Sequence, residues 1–395
     1  MKSMWKVYVL SLISFLIGTS QFVTSGFLDQ IALSMGITVS KAGQFTTVYA
    51  LTYALVTPLL IACTSKIDRR KLTLSALCIF IFGNLLAYFF PNFWPFTLSR
   101  ILVAISAGVV IVTALTIAAK IAPRGKQATS IAAVTIGFSM ALIIGVPIGR
   151  LLSSAFGWRS VFLDISLFGV IATIVIIAVI PKVQGDEPIP LMKQLALLKD
   201  PKVLLGLFIT LFWLSGYAFV YIYIAPFLLR GLKLPDYLLS PSLLAFGIAC
   251  LVGSKAGGYC ADKLEITCTL LISMGLDVIS LFLLSLSANH PMMTFIFLFL
   301  WSFSVWSTQP TQLYNLATLV PSQSGIMLSL NQSFSQLSMA IGAALGGIMI
   351  NKLSLISLSW FGNIGVVIAM LLVWALHRIK IAESRQTNVS NSISG

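Results

Sequence analysis

Charge is scarce in this 395-residue chain, and acidic residues and histidines are especially so. Aspartate and glutamate together number 11 and histidine 2, and charged residues make up 9% of the sequence, whereas a soluble domain has about 25%. So few charges cannot cover the water-exposed surface of a chain of this length. The composition therefore excludes a soluble enzyme, a disordered regulator and a secreted domain held by disulfides.

The few reactive side chains also lack the groupings that chemistry inside a membrane needs. An integral-membrane enzyme, the main alternative from another class, requires a nucleophile with a base or a cluster of histidine and acid. However, His290 lies in a predicted outer loop and His377 near the end of the last apolar segment, and no phosphate-binding loop for an ATP-driven pump is present. Metal-ligand spacing is absent from the five cysteines, so we predict small core residues and no metal site: Cys63, Cys78, Cys250, Cys260 and Cys268.

Long apolar segments are abundant. Apolar residues make up 58% of the chain and the mean hydropathy is +0.99. A spanning helix needs about 20 largely apolar residues, because lipid cannot satisfy an exposed main chain. The alternation of a membrane β-barrel is missing. We predict an all-α integral membrane protein with twelve transmembrane helices at 6–27, 43–64, 72–91, 96–118, 130–152, 161–181, 203–225, 242–261, 268–288, 293–316, 326–350 and 359–377.

The twelve segments divide into two similar halves. The long polar connection 182–202 contains three prolines, three acids and a glycine, and Trp5 and Val203 open corresponding segments 198 residues apart. Parallel six-helix repeats are a transporter architecture, with the substrate held between them near the middle of the bilayer. We predict an N-terminal bundle at 1–181, a linker at 182–202, a C-terminal bundle at 203–377 and a tail at 378–395. The paired halves favour alternating access over a continuous channel.

The net charge of +14 reflects membrane topology. The basic residues are scattered between apolar segments and form no single block, so we expect no nucleic-acid partner. If the N-terminus is cytoplasmic, 17 lysines and arginines flank the cytoplasmic side and 6 the other side. Because basic residues concentrate in cytoplasmic loops, we predict that both termini are cytoplasmic.

Several short motifs lie at the ends of the predicted helices or within them. The segments GGYCADKL at 257–264 and SKIDRRKL at 65–72 occupy corresponding places, at the end of the second helix of each half. The first is similar to the signature found at this place in the major facilitator superfamily, and the second is its counterpart. GFSMALIIGVPIG at 137–149 resembles the Gly-Pro motif of exporters, and FGWRSVF at 156–162 is common in the drug:proton antiporter-1 branch. Segments closest to bacterial purine-efflux pumps are AGQFTTVYALTYALVTPLL, YFFPNFWPFTLSRILVAISAG and ALGGIMINK.

The resemblance implies two six-helix bundles rocking about a central cavity, with helices one, four, seven and ten lining it. The expected function is secondary efflux, driven by the proton gradient with no cofactor, of a purine base, nucleoside or analogue. The alternatives are an amphipathic cationic drug or a sugar. We expect a monomer in the inner membrane of a bacterium, with lipid and a small substrate as its partners.

The motif residues are expected to control gating. A basic cluster at a helix end is either a simple anchor or a latch on neighbouring helix ends. Small residues and a proline on the fifth helix either allow close packing or seal one side of the pathway. Ser65 stands where the family has aspartate, which weakens the first-half latch. The predicted gating residues are Arg69, Arg70, Lys71, Gly145, Pro147, Gly149, Gly258 and Asp262.

Proton coupling needs a group that gains and loses a proton as the cavity switches sides, and a membrane-embedded acid suits this role. Asp29 replaces a proline of the purine-pump pattern, and Gln21 replaces a family acid and cannot titrate. Asp277 is deep, but it lies on an outer-layer helix. We predict Asp29 with Arg100 nearby, or else a superficial solvated Asp29, while Arg100 either lines the cavity or reaches the interface.

The substrate is expected to contact polar and aromatic residues. Uncharged amides can hydrogen-bond a planar heterocycle while aromatic faces stack on it. The alternative is that these residues merely join helices. The predicted substrate residues are Gln21, Tyr49, Tyr53, Arg100, Tyr217, Tyr221, Trp306, Gln309, Gln312, Asn331 and Gln332.

Overall fold

The described part of the chain contains twelve long apolar helices, as predicted. The structure is a computed structural model that describes residues 4–123, 126–184, 196–320 and 323–393; for residues 128, 262, 324, 325 and 380–393 it describes the main chain alone. The helices, labelled α1 to α12 in order, are Met4–Gly26, Val39–Cys63, Arg69–Phe89, Phe93–Ile121, Thr129–Phe156, Trp158–Val179, Pro201–Tyr221, Asp236–Ala261, Ile266–Ser285, Pro291–Leu319, Ile326–Lys352 and Ser357–Ile379.

Several helices begin at side chains that satisfy free main-chain donors. The Thr38 hydroxyl accepts from the Lys41 amide before α2, and the Asp68 carboxylate accepts from the Lys71 amide before α3. Asp200 caps α7, whose first residue is Pro201, a position where the missing amide costs nothing. These caps account for helix starts that hydropathy alone placed a few residues late.

The internal repeat is visible in the helix register. Val39 and Asp236 open α2 and α8, and Arg69 and Ile266 open α3 and α9, each pair 197 residues apart. Within the first half α3 packs on α4 and α6, and within the second half α9 packs on α10 and α12. The division at 182–202 stays a prediction, because residues 185–195 lie outside the described part.

Among the described residues, the most extensive packing between the halves is that of α2 on α11 and of α5 on α8. Because short connections make successive helices antiparallel, the start of α1 and the end of α12 lie on one face, which we call the terminal face. The other is the opposite face. A Cβ on Gly43 of α2 would overlap the Tyr223 hydroxyl, and a Cβ on Gly247 of α8 would overlap the Ile143 main chain. Glycine at these positions therefore lets the halves close together in the opposite-face half of the protein.

Candidate substrate cavity and gates

A cavity of about 560 Å³ lies between the halves. It extends from Tyr53, near the middle of α2, to Ser65 and Arg69 at the terminal-face ends of α2 and α3. Its size falls within the usual range of small-molecule sites, about 300–1,000 Å³. The wall is formed by Tyr53, Thr57, Pro58, Ile61, Ala62, Ser65, Arg69, Ile111, Val112, Leu115, Thr116, Val134, Thr135, Phe138, Ile326, Leu328, Ser329, Gln332 and Ser333.

The cavity wall differs from the expected one. Helices α2, α4, α5 and α11 supply most of it, with Ser65 and Arg69 at its entrance. Of the four helices expected to line it, only α4 contributes described residues. Helix α7 is instead enclosed by α10, α11 and α12, and most of its residues are buried. The side of α7 that was expected to line the cavity is therefore packed against other helices.

Two of the predicted substrate residues, Tyr53 and Gln332, line the cavity at its closed end, where their side chains lie near each other. Three more lie behind this wall. One helical turn from Tyr53, the Tyr49 hydroxyl donates to Oε1 of Gln21 over 3.2 Å, and the Tyr49 and Tyr53 rings lie 6.3 Å apart. Arg100 lies near Tyr49. The closed end of the cavity therefore offers one phenol and one amide, with a second phenol, a second amide and a cation behind them.

Arg100 is buried in the first bundle, with 2% of its surface exposed. Its guanidinium lies 4.6 Å from the Phe162 ring centroid and 5.0 Å from that of Phe96, and it donates to the Ser99 hydroxyl over 3.1 Å. Two aromatic faces stabilise a cation that no described acid pairs with. Arg100 therefore does not reach the opposite-face interface, which excludes the snorkelling alternative.

Two other predicted residues join helices. Nε2 of Gln312 donates to the Gly206 carbonyl over 2.8 Å and to the Thr210 hydroxyl over 3.0 Å. The Thr210 hydroxyl in turn donates to Oδ1 of Asn331 over 2.7 Å. Gln312 and Asn331 are both buried, so these amides hold α7, α10 and α11 together.

The remaining predicted residues lie away from the cavity. The Tyr217 and Tyr221 rings stack with centroids 4.9 Å apart, inside a cluster that also contains Phe246 and Trp301. The indole N–H of Trp306 is buried and donates no hydrogen bond to a described residue, and Gln309 is half-buried. None of these four lines the cavity as described.

Comparison with known proteins decides the family. Residues 10–343 match the Major Facilitator Superfamily model. The chain belongs to this superfamily. It is 51% identical, over 94% of its length and 95% of the relative's, to the uncharacterized MFS-type transporter YbcL of Bacillus subtilis. It is 27% identical, over 93% and 92% of the two lengths, to a probable sugar efflux transporter of Pasteurella multocida. The protein is therefore a membrane transporter, not an enzyme.

The fold is also that of solved superfamily structures. One is a bacterial homolog of the human lysosomal transporter Spinster, in an inward-facing and unoccupied conformation. It matches with a TM-score of 0.72 at 16% identity, covering 95% of this chain and 97% of that chain. At this identity the likeness shows the fold alone.

An ion bridge closes the transporter's opposite face, and the hydropathy of the sequence does not predict this bridge. Nη1 of Arg150 lies 2.8 Å from Asp29, and its Nη2 lies 2.9 Å from Asp236 at the start of α8. Arg150 lies in α5, within the predicted helix 130–152, but it was counted only as a basic residue flanking the opposite side, whereas the structure buries it. Arg150, not Arg100, is thus the partner of Asp29, and Asp29 is not a superficial solvated acid.

On the terminal face the basic cluster contacts neighbouring segments. Nη2 of Arg70 donates to the Ile177 carbonyl near the end of α6, and the Arg69 amide donates to the Val183 carbonyl over 2.8 Å. The Arg69 side chain also reaches the cavity wall. These contacts match the arrangement expected of a latch, a cation at a helix C-terminus. The side chain of Asp262 lies outside the described residues.

The Gly-Pro motif of α5 faces α1 and contains a π-helical segment, Ala141–Gly145, just before Pro147. A Cβ on Gly145 would overlap the Thr19 side chain, and one on Gly149 would overlap Val23. Gly258, in contrast, has open space around it. Close packing of α5 on α1 therefore depends on the first two glycines.

Two features of the site carried no sequence signal of their own. Thr57 lines the cavity because Gly108 of α4 lies against it. Asp236 joins the ion bridge although it lies 86 residues from Arg150. The internal repeat indicates only where Asp236 lies, because Asp236 occupies the position in α8 that the first residue occupies in α2.

Proposed function

We propose that this transporter exports a small, uncharged, hydrogen-bonding ring compound, such as a purine base or nucleoside, in exchange for protons. It works by alternating access, as a monomer and without a cofactor. The observation that carries the proposal is the cavity, which extends to the terminal face and ends below the closed opposite face. A protein that loads substrate on one side and releases it on the other requires such a state.

The proposed direction of transport follows from the orientation of the protein in the membrane. The excess of lysine and arginine on the terminal-face side supports a cytoplasmic terminal face in the inner membrane of a bacterium. The cavity then loads from the cytoplasm. Movement of the bundles opens the opposite face, where the bridge through Arg150 must first break.

The substrate class follows from the closed end of the cavity. Tyr53 and Gln332 can donate to and accept from the edge of a heterocycle, and the Tyr53 ring offers an aromatic face. The described residues of the wall include no acid, which disfavours an amphipathic cation. Arg69 at the entrance disfavours a cation further.

A sugar is the second candidate. The relative from Pasteurella multocida is named a probable sugar efflux transporter, and hydroxyl groups would pair with the same phenols and amides. Aromatic residues also stack on sugar rings. The two classes make different demands on the cavity wall. A planar base needs an aromatic face and few hydrogen-bonding groups, whereas a sugar needs many hydrogen-bonding groups.

The test uses purified protein in proteoliposomes with an imposed proton gradient. Radiolabelled hypoxanthine, arabinose and tetraphenylphosphonium represent the three classes. We expect gradient-driven movement of hypoxanthine alone, weakened about threefold to tenfold by Tyr53→Phe because one hydrogen bond is worth about 0.5–1.5 kcal/mol. Tyr314→Phe is the matched control, since Tyr314 is exposed outside the cavity. Movement of arabinose alone would favour the sugar exporter, and movement of tetraphenylphosphonium alone a multidrug pump.

A further inference from the structure

Asp277 is an acid in an unexpected environment. It lies in the middle of α9, and 1% of its surface is exposed. Neither carboxylate oxygen accepts a hydrogen bond of ordinary geometry from a described residue. At longer range the indole N–H groups of Trp301 on α10 and Trp213 on α7 point to it. Both indoles also lack another partner among the described residues.

The fold does not need an acid at this place. Because α3 and α9 correspond at an offset of 197 residues, the counterpart of Asp277 in the first bundle is Phe80, which is fully buried. The same packing is thus achieved there with an apolar ring. A carboxyl group inside a membrane helix costs several kcal/mol unless it is compensated, so its presence requires a reason other than packing.

No described cation compensates Asp277. The titratable side chains of α9 and the surrounding helices are phenols, thiols, one exposed lysine and groups near the helix ends. The described ones are Lys202, Tyr217 and Tyr221 on α7, Asp236, Tyr237, Cys250, Lys255, Tyr259, Cys260 and Lys263 on α8, Glu265 and Cys268 at the start of α9, Tyr314 on α10, and His377 and Arg378 on α12. Of the two imidazoles, His290 precedes α10 at the opposite face, and His377 bonds Thr267, which lies about 15 Å from Asp277 along α9.

We propose that Asp277 is the proton-carrying group of this transporter. One proton passes from hydronium to the carboxylate when the site opens to one side, leaving water and a neutral carboxyl. The same proton returns to water when the site opens to the other side. The proposal rests on proton-coupled transport as proposed above, and adds that coupling resides in the second bundle, apart from the substrate cavity.

The surrounding donors fit a proton and not a metal ion. The two nearby indole N–H groups are donors that suit a carboxylate, whereas a metal ion would require several further oxygen ligands that these residues do not supply. The other two coupling candidates fit less well. Asp29 is held by Arg150, and the guanidinium of Arg100 keeps its proton.

The first test measures transport by Asp277→Asn of whichever substrate the proteoliposome assay identifies. This variant keeps a side-chain oxygen that can accept a hydrogen bond from the indoles. We expect it to exchange labelled for unlabelled substrate at the wild-type rate, while gradient-driven accumulation falls to the level of empty liposomes. Asp277→Glu should restore part of the coupling. Asp164→Asn is the matched control, because Asp164 is a half-buried acid of α6. Wild-type coupling in Asp277→Asn would overturn the proposal.

A second measurement does not depend on the substrate. Infrared titration of wild-type protein should show a protonated carboxyl band that appears as pH falls and is missing in Asp277→Asn, with a parallel change in tryptophan fluorescence that Trp301→Phe diminishes. If none of the three probes moves, the proposed substrate class fails while this band still supports Asp277 as a proton site. A band that is unchanged in Asp277→Asn would overturn the assignment.

Discussion

Removing the acid at the second-bundle end of the ion bridge should shift the balance between the two open states. Asp236→Asn breaks the contact with Arg150 that crosses from α8 to α5, but leaves the Arg150–Asp29 pair within the first half. The Asp236 side chain is 73% exposed, so its ion pair is worth only about 0.5–1 kcal/mol. The opposite-face-open population should therefore rise about twofold to fivefold relative to the closed one.

The other acid should behave differently. The Asp29 and Arg150 side chains are 14% and 4% exposed, and removing one partner of a buried pair costs about 3 kcal/mol. Since both residues belong to the first half, Asp29→Asn should lower the thermal stability of the protein more than Asp236→Asn does. In free-energy terms, Asp29→Asn should change the ratio of the two open states by less than it lowers the stability of the folded protein.

The assay measures the distance across the opposite face. Spin labels at Leu33→Cys and Leu353→Cys, both exposed positions on either side of that face, report the two states in a background without the native cysteines. Arg159→Gln is the matched control, since Arg159 is an exposed arginine outside the bridge. Asp236→Asn should have little effect on the two populations in an Arg150→Met background. If it shifts them by the same amount in that background, the double-mutant cycle shows no coupling between Asp236 and Arg150, and the reasoning is refuted.

Three further predictions concern packing and hydrogen bonds. Gly137→Ala should lower the melting temperature in detergent, since its Cβ would overlap an α1 carbonyl and overpacking costs about 1–3 kcal/mol; Gly258→Ala, with open space, should not. Asn331→Ala should cost about 1–3 kcal/mol of stability and leave substrate affinity unchanged, and lost affinity would contradict its helix-joining role. Gly43→Ala should displace Tyr223 and expose the opposite-face seam to a thiol reagent at an introduced cysteine, which unchanged labelling would disprove.

The twelve helices could be predicted because the signal is local. Lipid demands a continuous apolar segment for each crossing, so composition within about 20 residues is sufficient. The prediction of two similar halves was possible for the same reason, since helices such as α3 and α9 begin 197 residues apart. The errors concerned helix ends, where caps such as Asp68 and Asp200 extend a helix into polar sequence.

Arg150 shows why the gate could not be predicted. A basic residue near the end of a predicted membrane helix is ordinarily interpreted as an interface residue that only reports topology. Its burial depends on Asp29 and Asp236, which lie 121 and 86 residues away along the chain. Only the packing of α5 against α8 brings all three together.

The cavity residues illustrate a second limit. Gln332 and Asn331 are adjacent amides on α11, yet Gln332 lines the cavity and Asn331 bonds Thr210. Both have the residue type that was predicted to contact substrate. The face of the helix decides between recognition and helix joining, and that face depends on how α11 packs against α2 and α7.

The two bundles depart from their own repeat at the buried charges. Arg100 in α4 corresponds to Leu298 in α10, and Asp277 in α9 corresponds to Phe80 in α3, all four of them buried. Each charge could therefore have been an apolar residue within the same packing, and each costs several kcal/mol in a membrane. Neither is compensated by a described ion pair across the bundles. The proposed division of roles accounts for this asymmetry, with Arg100 near the polar end of the cavity and Asp277 proposed as the site of proton exchange.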